Sequence, residues 1–151
     1  MSTKEGFHTL IPVSEENLLS AAQIHAASWQ ASHRSFCSEA FVRQHSVSHQ
    51  KAYLQNEIRA GKRLYMQEAP VGIISVKGSL IENLYVLPSE QCKGCGTQLL
   101  LFALSKWEGT PCLWVLSSNE RAQAFYRKHG FHLTGNAHSL SETLSEWEMR
   151  R

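Results

Sequence analysis

A loop between residues 84–87 and an apolar segment that begins at Leu99 has the composition of an anion-binding site. It contains two glycines, Gly94 and Gly96, and one lysine, Lys93. The first N–H groups of a helix have no partner inside the helix, and the helix dipole adds partial positive charge at that end. Glycine lets the main chain approach a phosphate without a Cβ atom in the way. The spacing therefore predicts a diphosphate loop, although the dinucleotide pattern G-x-G-x-x-G fails because Leu99 replaces its third glycine.

The same loop carries a C-x-x-C pair, Cys92 and Cys95, which could form a redox dithiol or half of a zinc site. A zinc site needs four ligands in close pairs, and the other two cysteines, Cys37 and Cys112, are isolated. We therefore expect free thiols and no metal. A redox module built on Cys92 and Cys95 stays an alternative, as does a disulfide that distorts the loop and prevents phosphate binding.

A carboxylate, Glu82, stands in an otherwise apolar strand-like run, residues 80–87. Side chains alternate between the two faces of a strand, so Glu82 shares a face with Leu84 and Val86. A carboxylate in such a run requires a partner or a role. Glu82 is a candidate general base, and a solvent-facing or salt-bridged side chain is the alternative.

Three aromatic or imidazole side chains, Trp29, His33 and Phe36, lie between the first two predicted helices. Aromatic walls can hold an amine by cation–π contact. Packing between helix ends explains the same residues without a substrate. They are the candidate substrate-binding residues of this chain.

The elements that must position these residues follow one another with short breaks. Apolar spacing and turn residues predict helices after Ser14, over Glu39–Ala60, over Gly96–Trp107 and from Asn119 to His129. Strands are predicted at residues 8–13, 63–68, 71–77, 80–87, 112–116, 131–134 and 146–150. Two short turns between consecutive strands indicate an antiparallel meander. The order predicts one α/β domain over residues 1–151, with helices on both faces of a mixed sheet.

Two motifs in this order resemble the GNAT superfamily of acyl-CoA N-acyltransferases. Its central motif, Q/R-x-x-G-x-G/A after a Val-x-Pro-like step, is matched by Gln91-Cys92-Lys93-Gly94-Cys95-Gly96 and by Val86-Leu87-Pro88. Its second motif is matched by the short strand 113–116, then Asn119, Tyr126 and Gly130-Phe131. The resemblance implies a GNAT-like sheet in which the meander is followed by a splayed parallel pair.

The resemblance also implies how acetyl-coenzyme A would bind as the co-substrate. Main-chain N–H groups of the loop would hold the pyrophosphate, and the preceding strand would pair with the pantetheine arm. Asn119 would contact the cofactor or simply cap its helix. The implied binding residues are Leu84, Val86, Gln91, Cys92, Lys93, Gly94, Cys95, Gly96, Thr97, Asn119 and Tyr126.

The implied activity is direct transfer of the acetyl group to a primary amine on a small molecule or peptide. Tyr126 would protonate the departing thiolate, and a main-chain N–H near Val86 would stabilise the oxyanion. Family members often carry an acidic residue near Glu82, which favours its role as the base. A non-catalytic acyl-CoA sensor would need neither Tyr126 nor Glu82 and is the alternative.

Composition narrows the class of protein further. The 151 residues carry a formal net charge of +2 and no basic stripe, so we expect no nucleic-acid partner. The longest apolar run, Leu99–Leu104, is far too short to cross a bilayer, and residues 1–10 lack the apolar core of a signal peptide. These features favour a cytoplasmic protein without a membrane partner. Both a monomer and a homodimer remain open.

Overall fold

The computed structural model describes residues 10–35, 37–91, 93–106 and 109–151. Its contacts group the chain into two compact units, residues 1–77 with 83–106 and residues 78–82 with 107–151. The described residues form a mixed α/β fold with seven strands, mostly antiparallel with one parallel pair. The expected fold class is therefore confirmed. The single domain over residues 1–151 stays a prediction.

The first unit contains an antiparallel meander in the order β1-β2-β3-β4. Ile11 of β1 faces Met66 of β2, and Tyr65 of β2 faces Ile74 of β3. The strands are β1 (Leu10–Pro12), β2 (Arg63–Gln67), β3 (Gly72–Lys77) and β4 (Leu80–Val86). Only residues 83–86 of β4 belong to this unit. Five consecutive residues of β3, 72–76, are buried, as expected for an internal strand of a covered sheet.

Four helices complete the first unit: α1 (Leu18–His33), α2 (Glu39–Gln44), α3 (Val47–Arg59) and α4 (Cys95–Lys106). A short 3-10 turn, Pro88–Glu90, follows β4. The buried core that joins α1 and α3 to the strands consists of Val13, Leu18, Ala21, Ala22, Ile24, Leu54, Leu64, Met66 and Ile73. Tyr53, Tyr85 and Leu87 pack against this core at its margin.

Two local predictions for these helices are wrong. The segment Glu39–Ala60 is not one helix, because α2 ends before His45 and Ser46 caps a new helix by accepting the N–H of His49. The N-cap position of the first helix is Asn17 and not Ser14, and the Asn17 side chain makes no capping hydrogen bond. The Asn17 side chain instead accepts the N–H of Ser14 at 2.8 Å, which holds residues 14–17 in a turn.

The second unit orders its strands β4-β5-β7-β6. The start of β4 runs parallel to β5 (Cys112–Leu116), with Ile81 opposite Leu113, and β7 (Ser145–Arg150) runs antiparallel to β5. The helix α5 (Glu120–Lys128) follows β5, and β6 (His132–Ser139) extends five residues beyond the predicted strand end at Thr134.

Candidate functional site

The predicted phosphate loop opens into α4 through a left-handed residue. Gly94 has φ +85°, a backbone conformation that residues with a Cβ rarely adopt. The Gly94 carbonyl accepts the N–H of Gln98 at 3.0 Å, so helical bonding starts at once. A Cβ atom at Gly94 would meet no other atom within 4 Å. The backbone conformation, and not a lack of space, therefore requires glycine, and the main chain there has open space beside it.

Two side chains hold the carbonyl of Val86, at the end of β4. The Gln91 Nε2 amide donates to it at 3.2 Å, and the Ser28 hydroxyl donates to it at 3.0 Å. These two bonds use both lone pairs of the oxygen and fix the orientation of the peptide. The Gln91 side chain therefore links the loop back to the strand, a role that the motif alone does not reveal.

The start of α4 is also tied to the inner strands of the first unit. Gln67 is buried and donates from Nε2 to the Cys95 carbonyl at 3.4 Å. A Cβ atom at Gly72 would lie 2.8 Å from Leu99 Cδ1 and 3.1 Å from the Tyr85 carbonyl oxygen. Glycine at position 72 thus permits the close approach of β3, β4 and α4 that sets the loop against the strand end.

Lys93 is the exposed cation of the loop. Lys93 Nζ lies 3.3 Å from the Glu90 carboxylate, and the Lys93 side chain is 60% exposed. Exposed pairs of this kind contribute little stability, on the order of 0–1 kcal/mol. Lys93 can therefore exchange Glu90 for an incoming anion at small cost.

The thiol chemistry of the loop does not favour a redox module. Cys95 is buried with a free thiol, and burial raises its pKa, with Glu90 acting in the same direction and Lys93 opposing it. A raised pKa depletes the thiolate that disulfide exchange requires. Cys92, the other half of the pair, lies outside the described residues.

A cavity of about 200 Å³ lies within the first unit. Its walls come from α1, from the α2–α3 segment and from β4, and its lining residues are His25, Trp29, His45, His49, Gln50, Tyr53, Asn83 and Tyr85. Asn83 and Tyr85 come from the end of β4, next to Val86. Alternation along the strand places Leu84 and Val86 on the opposite face from these two residues. The face of β4 that carries Glu82, Leu84 and Val86, which the sequence predicts for the cofactor and the base, is therefore not the face that lines this cavity.

Trp29, a predicted substrate residue, lines the cavity between two imidazole rings. It stacks on His33 with ring centroids 3.9 Å apart and on His45 with centroids 3.5 Å apart. His33 is held by its Nδ1 atom, 2.8 Å from the Trp29 carbonyl, and burial lowers its pKa. His33 thus supports Trp29, and Phe36, the third predicted residue, lies outside the described residues.

His25 is the residue that sequence reasoning missed. It is only 3% exposed, lines the cavity, and neither ring nitrogen makes a hydrogen bond to a described residue. Burial lowers the pKa of His25 to about 4, against the partial opposition of the nearby Asn83 amide. A signal was present, because His25 stands three residues after Ala22 and four before Trp29, on the apolar stripe that predicts α1.

The remaining predicted residues belong to the second unit. Asn119 caps α5 by accepting the Ala122 N–H at 3.0 Å, which confirms the capping alternative. Tyr126 lies on α5 against Phe125 and Phe131, and burial raises the pKa of its phenol. Glu82 lies at the start of β4 and is half-buried. The cofactor contacts of Asn119 and Tyr126, and the role of Glu82 as a base, stay predictions.

None of the helices in the described part of the chain is long and apolar enough to cross a membrane. Among the same residues, no group of three or more His, Cys, Asp or Glu side chains is arranged to hold a metal ion.

Comparison with known proteins identifies the fold. Residues 61–133 match the family model described as an acetyltransferase (GNAT) domain. No curated protein matches the sequence.

Solved structures match nearly the whole chain at low identity. A GCN5-related N-acetyltransferase from Rhodopseudomonas palustris is 20% identical with a TM-score of 0.72, covering 100% of this chain and 99% of its own. The PaiA N-acetyltransferase of Thermoplasma acidophilum, solved with coenzyme A, is 18% identical with a TM-score of 0.68, covering 94% and 98%. The YncA acetyltransferase of Salmonella typhimurium, described as putative and solved with acetyl-CoA, is 16% identical with a TM-score of 0.69, covering 97% and 94%. The resemblance read from the two motifs is therefore confirmed.

Proposed function

On the premise that this chain carries an acetyltransferase (GNAT) domain over residues 61–133, we propose that it is an acetyl-CoA-dependent N-acetyltransferase. It transfers the acetyl group directly from the thioester to a primary amine. The observation that carries this proposal is the left-handed Gly94 at the start of α4, at the glycine position of the family motif. The PaiA and YncA structures, which hold coenzyme A and acetyl-CoA, support the choice of co-substrate.

The loop of the first unit fits the diphosphate of coenzyme A. The main chain of residues 94–97 leads into the first turn of α4, where the helix dipole attracts an anion. Lys93 leaves Glu90 and pairs with the diphosphate, and Gln91 keeps the loop tied to Val86. Leu84 and Val86 lie beside the pantetheine arm, and Cys92, Cys95, Gly96 and Thr97 complete the loop. Asn119 would add its contact from α5.

The chemistry requires a neutral amine, a stabilised oxyanion and a proton for the departing thiolate. A main-chain N–H near Val86 would donate to the oxyanion. Tyr126 protonates the thiolate. Because burial raises the pKa of Tyr126, its phenol stays protonated throughout the physiological range. The sequence-based candidate for the base is Glu82.

The cavity of the first unit would receive the acceptor amine. It meets β4 at Asn83 and Tyr85, directly before the peptide that would hold the acetyl group. Trp29 forms one wall, as the sequence predicts for a substrate residue. We expect a small-molecule or peptide amine, no nucleic acid and no membrane partner, a cytoplasmic location, and either a monomer or a homodimer.

The test compares two glycines with the same backbone strain. Gly94→Ala and Gly61→Ala both force alanine into a positive φ, +85° and +88°, and neither new Cβ atom meets a neighbour within 4 Å. We expect Gly94→Ala to raise the KM for acetyl-CoA by roughly tenfold or more, because the loop must change shape. Gly61→Ala leaves this KM within about twofold.

The measurement is thiol release from acetyl-CoA with a panel of amines, together with calorimetric binding of coenzyme A. If the two substitutions change the affinity for coenzyme A equally, the loop is not part of the binding site. Absence of coenzyme A binding by the folded wild-type protein would end the proposal.

A further inference from the structure

The cavity contains a buried base, His25, that has no well-formed hydrogen bond to the described residues. His25 is 3% exposed, and neither Nδ1 nor Nε2 makes a hydrogen bond of ordinary geometry there, since the Asn83 contact that raises the pKa of His25 lies outside that geometry. Buried polar side chains are nearly always hydrogen-bonded, so a buried imidazole with both nitrogens unpaired requires an explanation. An imidazole that faces a cavity can find its partner in a bound molecule.

The position of His25 relates it to the end of β4. Ser28, one helical turn further along α1, donates to the Val86 carbonyl at 3.0 Å. The His25 ring lies edge-on to Tyr85, with ring centroids 4.7 Å apart. One face of α1 therefore places His25 over the strand end, and Ser28 fixes the distance between the helix and that strand.

The other walls of the cavity are aromatic or neutral. Its eight described lining residues include Trp29, Tyr53 and Tyr85 but no carboxylate. An alkylammonium ion that entered would find no carboxylate counter-ion among these residues. A planar uncharged molecule would instead pack against the rings of Tyr53 and Tyr85, because His33 and His45 already cover both faces of Trp29.

We propose that His25 is the catalytic residue that accepts the proton of the attacking amine, and that the cavity selects small planar amines that are uncharged in water, aromatic amines in particular. This inference rests on the proposed function and names its base and its acceptor class. It proposes His25 in place of Glu82 as the proton acceptor, because His25 lines the cavity and Glu82 is not among its described lining residues.

The step balances without any further reactant. The amine nitrogen uses its lone pair to form a bond to the thioester carbonyl carbon, and the C–S bond breaks with its electron pair going to sulfur. The nitrogen loses one proton to the unprotonated ring nitrogen of His25, and the thiolate takes one proton from Tyr126. Water then removes the proton from the imidazolium and returns one to the phenolate.

The titration of His25 agrees with this acceptor class. Burial lowers its pKa to about 4, and His45, His33 and His49, which face it from α1 and the α2–α3 segment, lower it further. Asn83 acts in the opposite direction, and the other groups against the ring are the phenols of Tyr53 and Tyr85. His25 is therefore neutral at pH 7. Such a weak base competes for a proton about a millionfold less well than an alkylamine of pKa near 10, whereas an aromatic amine arrives without that proton.

The test uses two probes of nearly equal size, aniline and benzylamine, which differ in whether the nitrogen is charged at pH 7. We expect a higher kcat/KM for aniline, and a kcat/KM for aniline that stays constant between pH 6 and pH 8. His25→Gln should lower kcat for aniline by about 100-fold or more, with the Kd of coenzyme A unchanged within twofold. The exposed His132→Gln is the matched control and should leave kcat unchanged.

A second variant separates a chemical role from a structural one. His25→Ala should regain turnover when free imidazole is added, because the vacated space admits the missing base. A kcat within threefold of wild type in His25→Gln would overturn the role of His25, as would the absence of rescue. Faster turnover of benzylamine than of aniline would overturn the acceptor class. Absence of coenzyme A binding in the wild type would instead defeat the proposed function itself.

Discussion

At the level of single residues, the neutral state of His25 links the cavity to the stability of the protein. Its pKa is lowered from 6.5 to about 4, chiefly by burial. An imidazole in the unfolded chain becomes protonated as the pH falls below about 6.5, whereas the folded protein resists this protonation until about pH 4. Between these values the unfolded state binds more protons than the folded state, so acid favours unfolding.

We predict that the free energy of unfolding falls as the pH decreases from about 6.5 to about 4, with a contribution from His25 of about 3 kcal/mol. Above pH 6.5 this contribution is fully present, because both states are then neutral. Urea denaturation at pH 7.0, 5.5 and 4.5 measures the change. His25→Gln should remove most of this pH dependence, whereas His132→Gln should retain it. The same pH dependence in both variants would contradict the low pKa of His25.

At the level of elements, the break between α2 and α3 shapes one wall of the cavity. Ser46 caps α3, and the lining residues His45 and His49 stand on either side of this break. Continuous polar and apolar spacing over Glu39–Ala60 predicts one helix, because a serine inside such a segment carries no mark of its capping role. The main chain at His45 leaves the helical conformation, with ψ 56°. Because α2 stops there, the His49 N–H group donates to the Ser46 side chain, and only the folded structure shows this.

We predict that Ser46→Ala lowers the free energy of unfolding by about 1 kcal/mol, because the cap of α3 is lost. Ser48→Ala, two residues later and inside α3, is the matched control. It should be neutral or stabilising by a few tenths of a kcal/mol, since alanine is the better helix former. Thermal or urea denaturation of both variants gives the comparison. An equal decrease in the free energy of unfolding in both would show that the Ser46 cap does not stabilise α3.

At the level of the whole molecule, the proposed binding of acetyl-CoA predicts a shift in the stability of the folded state. A ligand that binds only the folded protein stabilises it by about 2.7 kcal/mol at a concentration 100 times its Kd. For a chain of this length we expect the melting temperature to rise by about 5 to 10 °C. Differential scanning calorimetry with increasing coenzyme A measures this rise.

The same experiment can test the diphosphate loop. S-acetylpantetheine keeps the thioester arm but lacks the diphosphate, so at equal concentration it should raise the melting temperature much less than acetyl-CoA does. Gly94→Ala should lose most of the shift produced by acetyl-CoA, while Gly61→Ala should keep it. Equal shifts from both ligands would show that the loop does not recognise the diphosphate.

Much of the fold was determined by the sequence itself. Strands β2 to β5 all lie within one residue of their predicted bounds, because alternation and turn residues are local properties of the chain. The glycine loop that opens into α4 and the cap at Asn119 follow from the same kind of short-range spacing, and phosphate binding by that loop stays a prediction. These features need only a few consecutive residues to be recognised, and the same short segments carry the family motifs.

The cavity was decided by tertiary structure alone. His25 meets Tyr85, sixty residues away along the chain, and Ser28 meets Val86 at a similar separation. No local pattern states which side chains α1 places over the end of β4, and none states which face of that strand lines a cavity. A lone histidine on an apolar stripe therefore becomes meaningful only when packing has buried it without a hydrogen-bond partner, since burial is a property of the folded chain.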